Sequence, residues 1–206
     1  MRTKTLLIAA AALAVGAVTS MAQTYSQNIV GYVNVATVAG QYVLLGNPLD
    51  DGTNKLADLV PSVPVGSLAQ VWNGSGYTQC SKTPTSWSPN ASVPVGSGFF
   101  LRTAAVKTNT FAGNVAATPG GGTVTNTLTG GVYSLVSSGI PFAENLAGTN
   151  INLKPAVGSL AQVWNGAGYT QCSKTPTSWS PNPAIGVGIG FFVRPTVTYK
   201  WIQTLQ

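Results

Sequence analysis

Two kinds of hydrophobic pattern occur along the chain. Residues 6–18 are almost entirely apolar. Beyond them, short apolar or alternating runs are broken by clusters of Gly, Asn, Ser and Pro, and that punctuation predicts strands. Ile29–Val38 is rich in β-branched and aromatic residues, and Tyr42–Leu45 is a short strand ending at Asn47-Pro48. Ala69–Trp72 and Tyr77–Cys80 flank Asn73-Gly74-Ser75-Gly76, a hairpin signal because tight turns need residues that accept positive φ. Gly98–Arg102 reads as a strand of the buried type. One helix is expected over Asn54–Val60, with Leu56, Leu59 and Val60 on one face and Pro61 as its stop. Its counterpart over Asn145–Lys154 is weakened by Gly148, Asn150 and Asn152. Pro84, Pro89 and Pro94 make residues 81–97 an irregular loop, and residues 173–189 read the same way.

The pattern repeats. Residues 65–102 and 157–194 align at an offset of 92 and differ at only seven of 38 positions (75, 91–94, 97 and 101), leaving 31 identities. Upstream, Tyr42–Leu45 corresponds to Tyr133–Val136, and Ile29–Val33 is echoed by Phe111–Val115. On that alignment the second copy carries an extra Gly-rich loop at Pro119–Gly122. A closing strand over Val197–Leu205 matches Thr108–Val115. The fold class expected is all-β: two tandem repeats of short antiparallel strands, packed about a pseudo-twofold as a sandwich or barrel-like body, with at most one or two short helices. Residues 23–114 form the first repeat and residues 115–206 the second, and the two pack as one body.

Residues 1–22 read as a secretory signal peptide, with Arg2 and Lys4 before the apolar run and Ser20-Met21-Ala22 before a cleavage point. The apolar run is shorter than the roughly 20 residues a membrane-spanning helix needs. No transmembrane segment is therefore expected in the mature chain. Cleavage leaves 206 − 22 = 184 residues, twice 92, and removes two of ten basic residues, so with four acids the net charge becomes 8 − 4 = +4. Charged residues are 7% of the chain, against about 25% in an average domain. The remaining Lys and Arg are scattered, which argues against nucleic acid as a partner.

The strand followed by Tyr42-Val-Leu-Leu-Gly-Asn-Pro-Leu49, then Val71-Trp-Asn-Gly-Ser-Gly-Tyr77, Trp87 and Val95-Gly-Ser-Gly-Phe-Phe-Leu-Arg102, resembles a family of secreted bacterial β modules. These modules occur in surface proteins of Verrucomicrobia and, more distantly, Bacteroidetes. The second copy departs from the pattern at Val136–Phe142, where Gly-Asn-Pro is lost. What the resemblance implies is a structural module without catalytic residues.

Candidate sites follow from the aromatic sets. Trp72, Tyr77 and Trp87 recur as Trp164, Tyr169 and Trp179. Aromatics dominate the cores of small β units, which suits Trp72 and Trp164. Core packing is the leading reading for all six rings; compared with Trp72 and Trp164, the loop residues Trp87 and Trp179, flanked by Ser and Pro, are expected to be the more exposed. With Tyr77, Tyr169, Lys82 and Lys174 they form a candidate carbohydrate-binding set. Cys80 and Cys172 occupy equivalent positions; a disulfide between them, an intermolecular bridge and two buried thiols all remain open. Asp50-Asp51-Gly52-Thr53-Asn54 reads as turn chemistry ahead of the helix and lacks the spacing of a calcium loop.

The chain has no His and four acids, Asp50, Asp51, Asp58 and Glu144. His-dependent triads and imidazole metal sites are thereby excluded. Ser81-Lys82 and Ser173-Lys174 are neighbours whose side chains point to opposite faces of an extended strand. No catalytic residue, cofactor or metal is expected. The reading is a secreted, non-catalytic structural or adhesive β protein of the cell surface or extracellular matrix, partnered by itself or by cell-surface polysaccharide. The alternative is a carbohydrate-binding module using the loop tryptophans.

Overall fold

The computed structural model describes residues 30–117 and 122–205. Residues 1–22, expected to be a signal peptide, lie outside them. Sixteen strands and one helical turn are present among the described residues, and every strand pairing is antiparallel. The first unit contains β1 (Val30–Thr37), β2 (Tyr42–Gly46), α1 (Leu56–Leu59), β3 (Leu68–Trp72), β4 (Tyr77–Lys82), β5 (Trp87–Ser88), β6 (Gly98–Arg102) and β7 (Lys107–Asn114). The second contains β8 (Thr123–Leu128), β9 (Ser134–Ser137), β10 (Glu144–Asn145), β11 (Leu160–Trp164), β12 (Tyr169–Lys174), β13 (Trp179–Ser180), β14 (Ala184–Ile185), β15 (Gly190–Arg194) and β16 (Tyr199–Thr204). Each unit holds a five-stranded sheet, in the order β2-β6-β3-β4-β5 or β9-β15-β11-β12-β13, and a two-stranded ribbon, β1-β7 or β8-β16.

The ribbons correct one expected correspondence. Phe111–Asn114 is not the opening strand of the second copy but the end of β7, paired with Val30–Val33 of β1. The second unit opens with β8, which pairs with β16 as β1 pairs with β7. The Gly-rich segment therefore precedes that opening strand; residues 118–121 lie outside the description.

Local chemistry accounts for the turns. Asn73 closes the β3–β4 hairpin: its N–H donates to Gly76 O, its Oδ1 accepts from Ser75 and Gly76 N–H, and Gly74 takes φ +97°. Asn165 repeats this in the second unit. Only one turn of the expected helix forms, Leu56–Leu59. Over 145–154 there is no helix, as its Gly and Asn residues foretold. The 81–97 and 173–189 segments are largely irregular but contain the two-residue strands β5, β13 and β14.

Adjacent residues of a strand face opposite ways, and here both faces of the central strands are buried. Phe99, Leu101, Ala69 and Cys80 enter the first unit's own core with Leu56, Leu59 and Phe111. Phe191, Val193, Ala161 and Cys172 do the same in the second, with Leu146 and Trp201. Leu44 and Phe100, on the opposite face, meet Leu135 and Phe192 between the sheets. The molecule is thus a sandwich of two similar sheets, each backed by its own core.

Candidate functional site

The contact between the sheets is a pseudo-twofold axis. Phe100 and Phe192, equivalent residues, pack at 6.5 Å between ring centroids. Trp72 stands edge-on to Phe192 at 5.8 Å, and Trp164 edge-on to Phe100 at 6.1 Å. Tyr42 and Tyr133 close the outer ends, each 6.2 Å from its own unit's phenylalanine. The backbone obeys the same symmetry: Gly46 N–H donates to Gly188 O and Ser137 N–H to Gly96 O, both at 2.8 Å. Each unit's first sheet strand thus binds the loop ahead of the other unit's last.

Gly46 and Ser137 are equivalent and face each other at this axis. A Cβ built on Gly46 would overlap the Ser137 Cβ, so only one of the two positions can carry a side chain. The lost Gly-Asn-Pro motif of the second copy begins at this contact. Ser137 Oγ donates to Ser97 O at 3.2 Å.

Beside the axis opens a cleft of ≈ 210 Å³, lined by Tyr42, Gln70, Tyr77 and Phe100 of the first unit and Trp164 and Tyr169 of the second. Tyr77 and Tyr169 are 41% and 43% exposed. Each is fixed by two edge-on contacts within its own unit: Tyr77 with Trp72 (5.0 Å) and Phe100 (5.8 Å), Tyr169 with Trp164 (5.0 Å) and Phe192 (5.8 Å). Gln70 Nε2 donates to the Tyr42 hydroxyl at 3.3 Å. Desolvation, together with the neighbouring Tyr169, pushes the Tyr77 phenol up to about 12. Desolvation also raises Tyr169. Both hydroxyls stay protonated and uncharged at neutral pH.

The candidate set therefore divides. Tyr77 and Tyr169 come together in one cleft. Core packing holds for Trp87 and Trp179, each 3% exposed inside its own unit's core, and the expected order of exposure is reversed, since Trp72 and Trp164 are only half-buried. The reason is strand alternation: β5 and β13 turn Trp inward and Ser outward, whatever the polarity of the flanks. Lys82 and Lys174 pair across the strand with those tryptophans. Lys82 Nζ lies 6.0 Å from the Trp87 ring centre, and Lys174 Nζ donates to Thr175 O at 2.7 Å. A platform made of the loop tryptophans is absent from the surface.

Tyr42, Gln70, Phe100 and Trp164 were missed as cleft residues. Strand alternation was the available signal: Gln70 and Trp72 share the face opposite Ala69 and Val71.

Cys80 and Cys172 are free, buried thiols in separate cores, and burial pushes both above the ordinary thiol range. The acids serve turns. Asp50 Oδ1 accepts from Gly52 N–H and Asn54 Nδ2, and Asp51 Oδ1 from the N–H of Thr53 and of Asn54. Glu144 Oε2 accepts from the N–H of Asn150 and Ile151, the former contact being the main one that lowers its carboxyl below the ordinary value. No group of three or more His, Cys, Asp or Glu is gathered for a metal among the described residues, and no helix there is long and apolar enough to cross a membrane. Compared with family models, curated proteins and solved structures, the chain matches none.

Proposed function

We propose that the chain is an exported, non-catalytic structural or adhesive β protein acting at the cell surface or in the extracellular matrix. The observation that carries this reading is the axial cleft. Half-exposed tyrosines from both units are held there in fixed orientations, and no residue lining it is charged. Rigid aromatic groups with a polar tip make contact area at small entropic cost. One edge of each five-stranded sheet is a two-residue strand, β5 or β13, and an edge that short resists strand addition.

Fractionation of producing cells tests the export. Protein beginning at Gln23 is expected outside the cytoplasm, and the purified protein is expected to adsorb to washed cell envelopes. An uncleaved, cytoplasmic protein that leaves envelopes bare would overturn the proposal.

A further inference from the structure

We infer that the axial cleft is a binding site for a neutral polysaccharide. The inference rests on the adhesive reading above and supplies its ligand class. The lining consists of three phenols, an indole, a phenyl ring and one carboxamide, with no ionisable charge at neutral pH. An anionic or cationic ligand would lose hydration there without meeting a counter-charge, which is costly. A polyol loses nothing of that kind. Its hydroxyls find the Tyr77, Tyr169 and Tyr42 hydroxyls and the Gln70 amide, while its C–H faces find ring surfaces.

Geometry narrows the class further. At ≈ 210 Å³ the cleft is smaller than the roughly 300–1,000 Å³ of sites that enclose drug-sized ligands. It holds one or two sugar rings, not a whole oligosaccharide. A shallow site of that size binds weakly on its own, and tight attachment then needs a polymer offering many copies of the ligand. The cleft draws walls from both units, so neither unit alone completes it. The edge-on contacts at 5.0 and 5.8 Å are already made in the free protein, so little ordering remains to be done on binding.

The test is affinity electrophoresis of the intact protein through gels containing dextran, a soluble β-glucan or alginate, alongside adsorption to cell envelopes. The expected result, at a salt concentration that screens the positive net charge, is retardation by at least one neutral polymer and none by alginate. Tyr77→Ala or Tyr169→Ala should weaken the retardation about tenfold, while Tyr32→Ala, exposed on β1 away from the cleft lining, leaves it unchanged. Tyr77→Phe keeps the ring packing and should weaken binding a few-fold, which separates a lost hydroxyl from a lost fold. Retardation by alginate alone, or retention by a neutral polymer that both alanine variants preserve, would overturn the inference. Adsorption to envelopes without retardation by either neutral polymer would also overturn it, yet leave the adhesive reading standing. Absence of any adsorption would remove both.

Discussion

The two units share a sheet almost residue for residue, yet they close it differently. In the first ribbon, the two buried residues nearest the Thr37–Lys107 end are polar. Thr37 Oγ1 pairs with Thr103 Oγ1 at 2.9 Å and donates to Lys107 O, and Asn109 lies beside it. Phe111 then fills the core. At the same positions of the second ribbon the order is reversed. Leu128 and Trp201 stand where Thr37 and Asn109 stood, and Gln203 replaces Phe111. Gln203, fully buried, accepts from Gly139 N–H at 2.9 Å and donates to Ser138 Oγ at 3.0 Å. The same sheet tolerates either arrangement, with an aromatic ring in one of the two inward places. The polar group at the other is partnered for Gln203. Asn109, by contrast, makes one contact, Nδ2 to Thr37 Oγ1 at 3.5 Å, and its Oδ1 has no donor among the described residues. The near-identical block is specified within itself, and the frame around it has been free to change.

The largest test of this contrast compares Trp201→Ala with Asn109→Ala in urea unfolding. Trp201 is buried and its Nε1 donates to Ile151 O. Removing it should cost about 3–5 kcal/mol, while Asn109→Ala should cost about 1 kcal/mol. Equal costs would mean that the two ribbons are not rearranged versions of one design. Gly46→Ser comes next. The crowding it creates at the axis should cost about 1–3 kcal/mol. The double variant Gly46→Ser/Ser137→Gly should recover most of that, since Ile189 O stands by position 46 as Ser97 O stands by Ser137. Thermal melts of the three proteins would show it, and additive losses would contradict the symmetry.

Most of the strand content could be read from β-branched runs and turn residues, and the duplication was plain in the 31 identities. Three things resisted. The counterpart of the opening strand was misassigned because Phe111–Val115 resembles Ile29–Val33 locally, whereas ribbon pairing is a long-range property. The deeper burial of Trp87 and Trp179, relative to Trp72 and Trp164, was hidden by Ser and Pro neighbours, although alternation in a two-residue strand outweighs them. The cleft was invisible because its walls come from two units. Phe99-Phe100 and Phe191-Phe192 carried the missing hint. Neighbouring rings must face opposite sides of a sheet, so a doubled Phe in a central strand demands apolar cover on both faces.

Smaller differences between the units offer finer tests. Trp179 Nε1 donates to Leu153 O at 3.1 Å, whereas the buried Trp87 Nε1 has no acceptor among the described residues. Trp179→Phe should therefore cost about 1 kcal/mol more than Trp87→Phe in the same unfolding assay. In a spectrophotometric titration, Tyr77 should ionise near pH 12, above the ordinary value of 10.0. The unfolded chain gives up this proton first, so the tyrosine's share of stability is intact below about pH 10 and declines as the pH rises toward 12. Tyr77→Phe should flatten that decline.

The smallest effect belongs to Glu144. Its folded carboxyl titrates below the ordinary 4.5, so its share of stability is present above that value and is lost as the pH falls through the lowered one. Glu144→Gln should speed amide hydrogen exchange at Asn150 and Ile151 and leave the first unit's loops unchanged.

The serine at the axis has a consequence for pairing. A dimer of identical chains must place the same residue on both sides of its axis, so any change there is made twice and must fit against itself. A tandem chain is released from that rule. Here one copy carries the bare Gly46 and the other Ser137 with its bond to Ser97 O. Two second units could not meet at this axis in the same way, because Ser137 would stand against Ser137, so the joined chain holds a pairing that separate copies of the second unit could not make.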